Sequence, residues 1–91
     1  MKVKFSRKVD SKLKLLSRKN PHLTKQVRKQ IKIFKIDPSY KSLRLHKLEG
    51  SLGKFWSISI NRSIRMVYEQ RDGDVAYFVD IGTHDEVYER N

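Results

Sequence analysis

Two prolines divide this chain into stretches of different hydrophobic period, and that division limits the folds open to it. Up to Asp37-Pro38 the apolar residues recur at helical spacing, broken once at Asn20-Pro21. From Leu43 onward they alternate. Val9, Leu13 and Leu16 at i, i+4 and i+7, with Leu15 beside them, predict a helix over about residues 7–19, with Ser6 as its cap. Asn can cap a helix and Pro is tolerated at a first helical position, so Asn20-Pro21 ends one helix and starts another. The second spans about 21–36, with Leu23, Val27, Ile31 and Phe34 as its apolar stripe and Lys25, Arg28, Lys32 and Lys35 roughly opposite. Asp37-Pro38 stops it. The pair reads as an antiparallel helical hairpin with a basic outer face. Ahead of it, residues 2–5 alternate as a short strand, Val3 and Phe5 on one face and Lys2 and Lys4 on the other.

In the second half, alternation determines which residues share a face. Asp72-Gly73 signals a two-residue hairpin between strands at 64–70 and 74–81. With Arg71 opposite Asp74, Arg65 falls opposite Asp80, and Ile64, Met66 and Tyr68 share the core face with Val75, Tyr77, Val79 and Ile81. For Trp56, Ile58 and Ile60 to join that face, the preceding loop needs an odd number of residues, so Asn61-Arg62-Ser63 is expected as a three-residue turn. In the strand before, Leu43 and Leu45 point to the core, and Arg44 and His46 away from it. The fold expected is α+β: an N-terminal strand, a helical hairpin, then a three-stranded antiparallel meander, with the helices packed on one face of a four-stranded sheet in a single domain, residues 1–91. Two helices cover one side of such a sheet. The other side would present Lys2, Lys4, Arg44, His46, Phe55, Ser57, Ser59, Arg65, Val67, Phe78 and Asp80, with Gly82 and His84 continuing the alternation, and is expected to be open.

The formal net charge is +11, and its placement is informative. Residues 1–37 hold thirteen Lys or Arg against Asp10 and Asp37, whereas residues 38–91 hold eight basic and eight acidic residues. A surplus of this size in a small domain exceeds what solubility needs and points to a polyanion, an acidic protein partner, or both. There is no cysteine, which removes disulfides and thiolate metal sites. No apolar run approaches membrane-spanning length, and Met1-Lys2-Val3-Lys4-Phe5 lacks the apolar core of a signal peptide, so a soluble cytoplasmic protein is expected.

The expected open face carries the candidates for chemistry. Arg65 has two compatible readings, a cross-strand pair with Asp80 and a phosphate-binding group preorganised by that pair. Two histidines, His46 and His84, and an arginine on one polar face suit metal-independent RNA cleavage. That reaction needs a base for the 2′-hydroxyl proton and an acid for the leaving 5′-oxygen, and an unperturbed imidazole with pKa of about 6.5 serves either step. Isolated histidines without a carboxylate spacing do not form a recognisable metal-ligand set. Tyr88 offers a ring on which an unpaired base could stack; Phe78 does too, although packing is its expected role. Arg44, Lys47, Lys54 and Arg62 are candidate contacts to the RNA backbone.

The order of elements, together with Leu45-His46-Lys47-Leu48-Glu49-Gly50, Phe55-Trp56-Ser57, Ile64-Arg65-Met66-Val67-Tyr68 and Gly82-Thr83-His84 with an aromatic residue four positions on, resembles the RelE/ParE toxin superfamily of type II toxin–antitoxin modules. The segments around the histidines are similar to the YafQ-like branch, and Phe-Trp-Ser and Arg-Met-Val-Tyr to the YoeB-like branch. The resemblance implies an mRNA interferase that cuts messenger RNA in the ribosomal A site, needs no cofactor, and is silenced by an antitoxin that wraps it. The free toxin is then expected as a monomer that forms a hetero-oligomer with its antitoxin. Residue by residue, it implies proton transfer by His46, a general acid in His84, a phosphate-binding Arg65, a terminal aromatic in Tyr88, and a counterpart of the YoeB-type general base in Glu49. The chain departs from the YafQ-like pattern at Ser59-Ile60-Asn61-Arg62-Ser63, where a further histidine and an aspartate are absent. Two alternatives remain: a ParE-like inhibitor of DNA gyrase, disfavoured by the terminal histidine, and a non-catalytic binder of RNA or a protein partner.

Overall fold

Local capping sets the boundaries of both long helices. In the computed structural model, which describes residues 1–48 and 54–88, strand β1 (Lys2–Phe5) leads directly into helix α1 (Arg7–Lys19). The Ser6 hydroxyl accepts from the Val9 N–H at 3.1 Å, satisfying a donor that the first turn would otherwise leave unpaired. Asn20 closes α1 through its backbone N–H to the Leu16 carbonyl and opens α2 (Pro21–Ile36) by accepting from the Leu23 N–H. The hairpin is therefore tight, with a single residue between its helices. Asp37 then caps α2.

The chain next forms a 3-10 turn, Lys41–Leu43, and only His46–Lys47 pair as strand β2. The expected strand from Leu43 is thus shorter. Arg44 takes a left-handed conformation (φ 45°), which breaks the alternation that would have carried Arg44 and His46 as strand neighbours. Strands β3 (Phe55–Ser59), β4 (Ile64–Arg71) and β5 (Val75–Thr83) follow, and helix α3 (His84–Tyr88) completes the described chain.

The sheet has five strands in the order β1-β5-β4-β3-β2, one more than expected because β2 joins as an edge. β1 runs parallel to β5 and the other pairs are antiparallel. The β3–β4 turn holds three residues as expected: the N–H groups of Ile60 and Asn61 both donate to the Ile64 carbonyl, and Ile58 faces Met66 across the ladder.

The β4–β5 turn differs from expectation. Gly73 (φ 79°) and Asp74 (φ 59°) are both left-handed, so Asp72-Gly73-Asp74 makes a three-residue turn and Arg71 pairs with Val75 instead of Asp74. Asp tolerates this conformation where most residues do not. One added residue reverses the alternation, so Ala76 and Phe78 enter the main core in place of Val75, Tyr77 and Val79. A bulge then restores it: the register slips between Val67 and Tyr68, Val79 is passed over, and Ile81 returns to the core opposite Met66.

The core between helices and sheet centres on Phe34, Tyr68 and Phe78, whose rings meet edge-on or tilted at 5.1 to 5.5 Å. Burial pushes the Tyr68 hydroxyl up to about 12. Trp56 packs against this core, partly buried. The second face of the sheet is not open throughout, because α3 folds over it: Val87 is buried against Val67 and Leu48, with Phe55, Val79 and Tyr88 around them. This second, smaller core brings α3 to the middle of the sheet.

Candidate functional site

A capping box sets the direction of α3. The Thr83 hydroxyl accepts from the Glu86 N–H at 3.3 Å, and the Glu86 carboxylate accepts from the Thr83 N–H at 2.7 Å. The backbone hydrogen bond from Thr83, helped by its hydroxyl, holds the Glu86 carboxyl below its ordinary value. Gly82 makes this possible, since a Cβ there would lie 2.8 Å from Glu86 Oε1 and 3.1 Å from Glu86 Cβ. His84 is therefore the first residue of a helix and does not continue the strand. In a helix, residues four apart face one another, and the His84 and Tyr88 rings meet edge-on with centroids 4.3 Å apart.

Arg65 on β4 does not pair with Asp80. The bulge places Arg65 opposite Gly82, and its side chain turns toward β3. Its Nε and Nη2 donate to Ser57 Oγ at 3.1 and 3.0 Å, and Nη2 also donates to the Arg44 carbonyl at 2.9 Å. Ser57 Oγ lies 2.5 Å from Tyr88 Oη. With two guanidinium N–H groups already directed at it, the serine oxygen has its own proton to give, so Ser57 donates to Tyr88. The Tyr88 O–H is then left to donate outward. His46 stands across from Ser57 in the β2–β3 ladder, which puts it on the same face, and it is exposed.

Asp80 serves a different purpose. It is 6% exposed and is bridged by Lys12 at 3.0 Å and Lys8 at 3.3 Å, while its own carboxylate accepts from the Ile81 N–H. Burial pushes its carboxyl up, but the hydrogen bonds from Lys12, the Ile81 N–H and Lys8 outweigh that and hold it below the ordinary aspartate value. The cluster ties α1 to β5 just before the strand reaches Gly82.

The structure thus brings Arg65, Tyr88 and His84 together, with His46 two strands from Arg65 and across from Ser57, and leaves other expected residues elsewhere. Phe78 is fully buried beneath the sheet, so no base can stack on it. Lys47 faces away from His46, its ammonium 5.8 Å from the centre of the Trp56 ring. Lys54 is paired with Glu69 at 3.3 Å and sits over the Phe55 ring. Arg44 and Arg62 line one cleft with Arg65. Glu49 lies outside the described residues. Among the described residues no group of three His, Cys, Asp or Glu side chains is placed to hold a metal ion, and no helix is long and apolar enough to cross a membrane.

Sequence reasoning placed Ser57 on the correct face but did not single it out. The available signal was a small polar residue between Trp56 and Ile58, on the same face as Arg65. Thr83-His84-Asp85-Glu86 carries the Thr-x-x-Glu signature of a capping box, and the alternation expected to continue to His84 stops at Thr83.

No family model and no curated protein sequence matches the chain. Solved structures do. A YoeB/ParE toxin from Agrobacterium tumefaciens superposes with a TM-score of 0.78 at 19% identity, covering 92% of this chain and 99% of its own. YafQ from E. coli gives 0.75 at 14% identity, with 94% and 96% covered. YoeB in its complex with YefM from Staphylococcus aureus gives 0.76 at 20% identity, with 92% and 97% covered. The chain therefore has the RelE-like fold of the RelE/ParE toxins, in the form seen in YoeB and YafQ.

Proposed function

We propose that this protein is the toxin of a type II toxin–antitoxin module and acts as a metal-independent endoribonuclease on messenger RNA engaged by the ribosome. The observation that carries the reading is the hydrogen-bonded row Arg65–Ser57–Tyr88, with the His84 ring against Tyr88 and His46 across the ladder from Ser57. A cation held by hydrogen bonds, with a histidine on either side of it in the order of the strands, supports this reading.

In the reaction, the 2′-oxygen of one nucleotide attacks the adjacent phosphorus and the bond to the 5′-oxygen breaks. The products are a 2′,3′-cyclic phosphate and a 5′-hydroxyl. His46 takes the 2′-hydroxyl proton and His84 gives one to the departing 5′-oxygen. Arg65 faces the charge that builds on the phosphate oxygens; the anchoring of its Nε and Nη2 to Ser57 and the Arg44 carbonyl fixes the guanidinium before substrate arrives. The Tyr88 O–H donates to the same phosphate, and its ring supports a base. No cofactor takes part.

The basic helical hairpin would dock on ribosomal RNA, and an antitoxin of acidic character would cover the site in the cytoplasm, converting the free monomer into a hetero-oligomer. Solved structures of this fold include YoeB–YefM and DinJ–YafQ complexes, which supports a protein partner here. The test is a translating extract: the protein should shorten mRNA, and Arg65→Ala or His84→Ala should abolish the shortening. Intact mRNA together with inhibited gyrase supercoiling would replace this reading with the ParE-like one.

A further inference from the structure

On the flank of Arg65 a second feature is built. Arg44, Arg62 and Arg65 line a cleft of about 310 Å³, with Ser42, Ser59 and Asn61 in its walls. The three arginines come from three segments: the end of the 3-10 turn, the β3–β4 turn and β4. Among the described residues no carboxylate is ion-paired with any of them, and the cleft walls contain none. Like charges gathered in one cleft repel one another, and binding an anion relieves that repulsion.

The cleft is held open by hydrogen bonds that, among the described residues, do not engage the Arg44 or Arg62 guanidinium groups. Gln30, 7% exposed on α2, donates to the Ser59 carbonyl at 2.9 Å and to the Ser42 carbonyl at 3.3 Å, so one buried amide clamps both walls. Asn61 donates to Gln26 at 2.9 Å, and its Oδ1 accepts from the Ser63 and Ile64 N–H groups, which fixes the turn that displays Arg62. The Arg44 carbonyl is held by Arg65 Nη2. A volume of this size accommodates one phosphate with its sugar.

Resting on the RNA reading above, we propose that this cleft is a second phosphate subsite, which holds the backbone phosphate next to the one at Arg65. Single-stranded RNA is then gripped across two successive phosphates. Arg65 stands at the junction, with the Ser57–Tyr88 row on one side and the cleft on the other. Contacts to phosphate carry no sequence information, so this subsite sets register and affinity while leaving base choice to other groups.

The experiment uses a short 2′-O-methyl RNA, which lacks the attacking hydroxyl and cannot be cut, and follows its binding over a range of salt concentrations. For a single strand, each neutralised phosphate adds about 0.7 to the slope of log K against log salt. The double variant Arg44→Asn, Arg62→Gln should lower that slope by about 0.7, and Arg65→Ala should lower it by a further 0.7 or so when combined. Both substituted residues are exposed, and Asn tolerates the left-handed backbone at position 44, so the fold is retained. An unchanged slope in the double variant would overturn the subsite, as would adenosine monophosphate binding the wild type as tightly as the RNA does. Because the probe cannot be cut, the outcomes separate: cleavage of ordinary RNA with an unchanged slope removes only the subsite, and a reduced slope without cleavage removes only the nuclease.

Discussion

Ser57 and Tyr88 meet oxygen to oxygen at 2.5 Å, although one lies in the middle of the sheet and the other near the end of the chain. Through that contact the last helix is fixed to the strand that also anchors Arg65. The position of the aromatic ring, the guanidinium and His84 thus depends on one buried serine hydroxyl.

Ser57→Ala removes that link with little change of volume. Arg65 keeps its charge but loses two of its hydrogen bonds, each worth about 1 kcal/mol. Cleavage should fall by roughly ten- to a hundred-fold, and stability by about 1–2 kcal/mol. Tyr88→Phe retains the ring against His84 and should cost less than Tyr88→Ala. Rates measured on one RNA for the three variants order the contributions, and equal losses for Phe and Ala would contradict the role given to the ring.

Gly82→Ala should dislodge α3. The new methyl group presses on the Glu86 side chain, whose carboxylate must shift from the Thr83 N–H, so the capping box is weakened. The expected signature is rapid amide exchange across His84–Tyr88 with the sheet amides still protected. Thr83→Ala should loosen the same helix by about 1 kcal/mol. The pH dependence has a definite sign: the Glu86 carboxyl titrates below 4.5, its ordinary value, so its support of the helix is present above that pH and is lost as the pH falls through its lower folded-state value.

Asp80→Asn should weaken the attachment of α1 to β5. A carboxylate bridging two half-exposed lysines is worth about 2 kcal/mol when its charge is removed. In the wild type the Asp80 contribution is complete above pH 3.8 and declines as the pH falls through its depressed folded-state value, whereas the variant should show less loss of stability in that acid range. Urea midpoints followed from neutral to acid pH give both quantities, and parallel curves for the two proteins would count against this assignment.

Gln30→Leu should lower stability by about 1–3 kcal/mol, because it leaves the Ser59 and Ser42 carbonyls without their donor. It should also weaken RNA binding, since the cleft walls lose their clamp. A variant as stable as the wild type would show that the amide does not hold them.

How much of this could be read beforehand depended on whether the signal was local. Ser6, Asn20-Pro21 and Asp37-Pro38 act within a turn of where they stand, and the helices they delimit match the expected bounds. The β3–β4 turn was readable because Trp56, Ile58 and Ile60 require an odd loop. The next turn was not: Asp74 can sit inside a strand or, left-handed, inside a turn, and only packing decides. That choice moved Phe78 from the outer face to the core and separated Arg65 from Asp80. The bulge at Val79 has no mark in the sequence, because its cause is the need to return Ile81 to the core. The covering of the second face was legible in principle from Thr83-x-x-Glu86 and the single apolar Val87 after it. Ser57 could be assigned to a face but not to a partnership, since its partner Tyr88 reaches it only after α3 has folded back.

The most direct test of the central claim is the chemistry of the ends left on mRNA in a translating extract. The wild type should produce fragments with 5′-hydroxyl and 2′,3′-cyclic phosphate ends, and Arg65→Ala and His84→Ala should produce none above background. Intact mRNA with the wild type, or the same fragments at the same rate from both variants, would contradict the account.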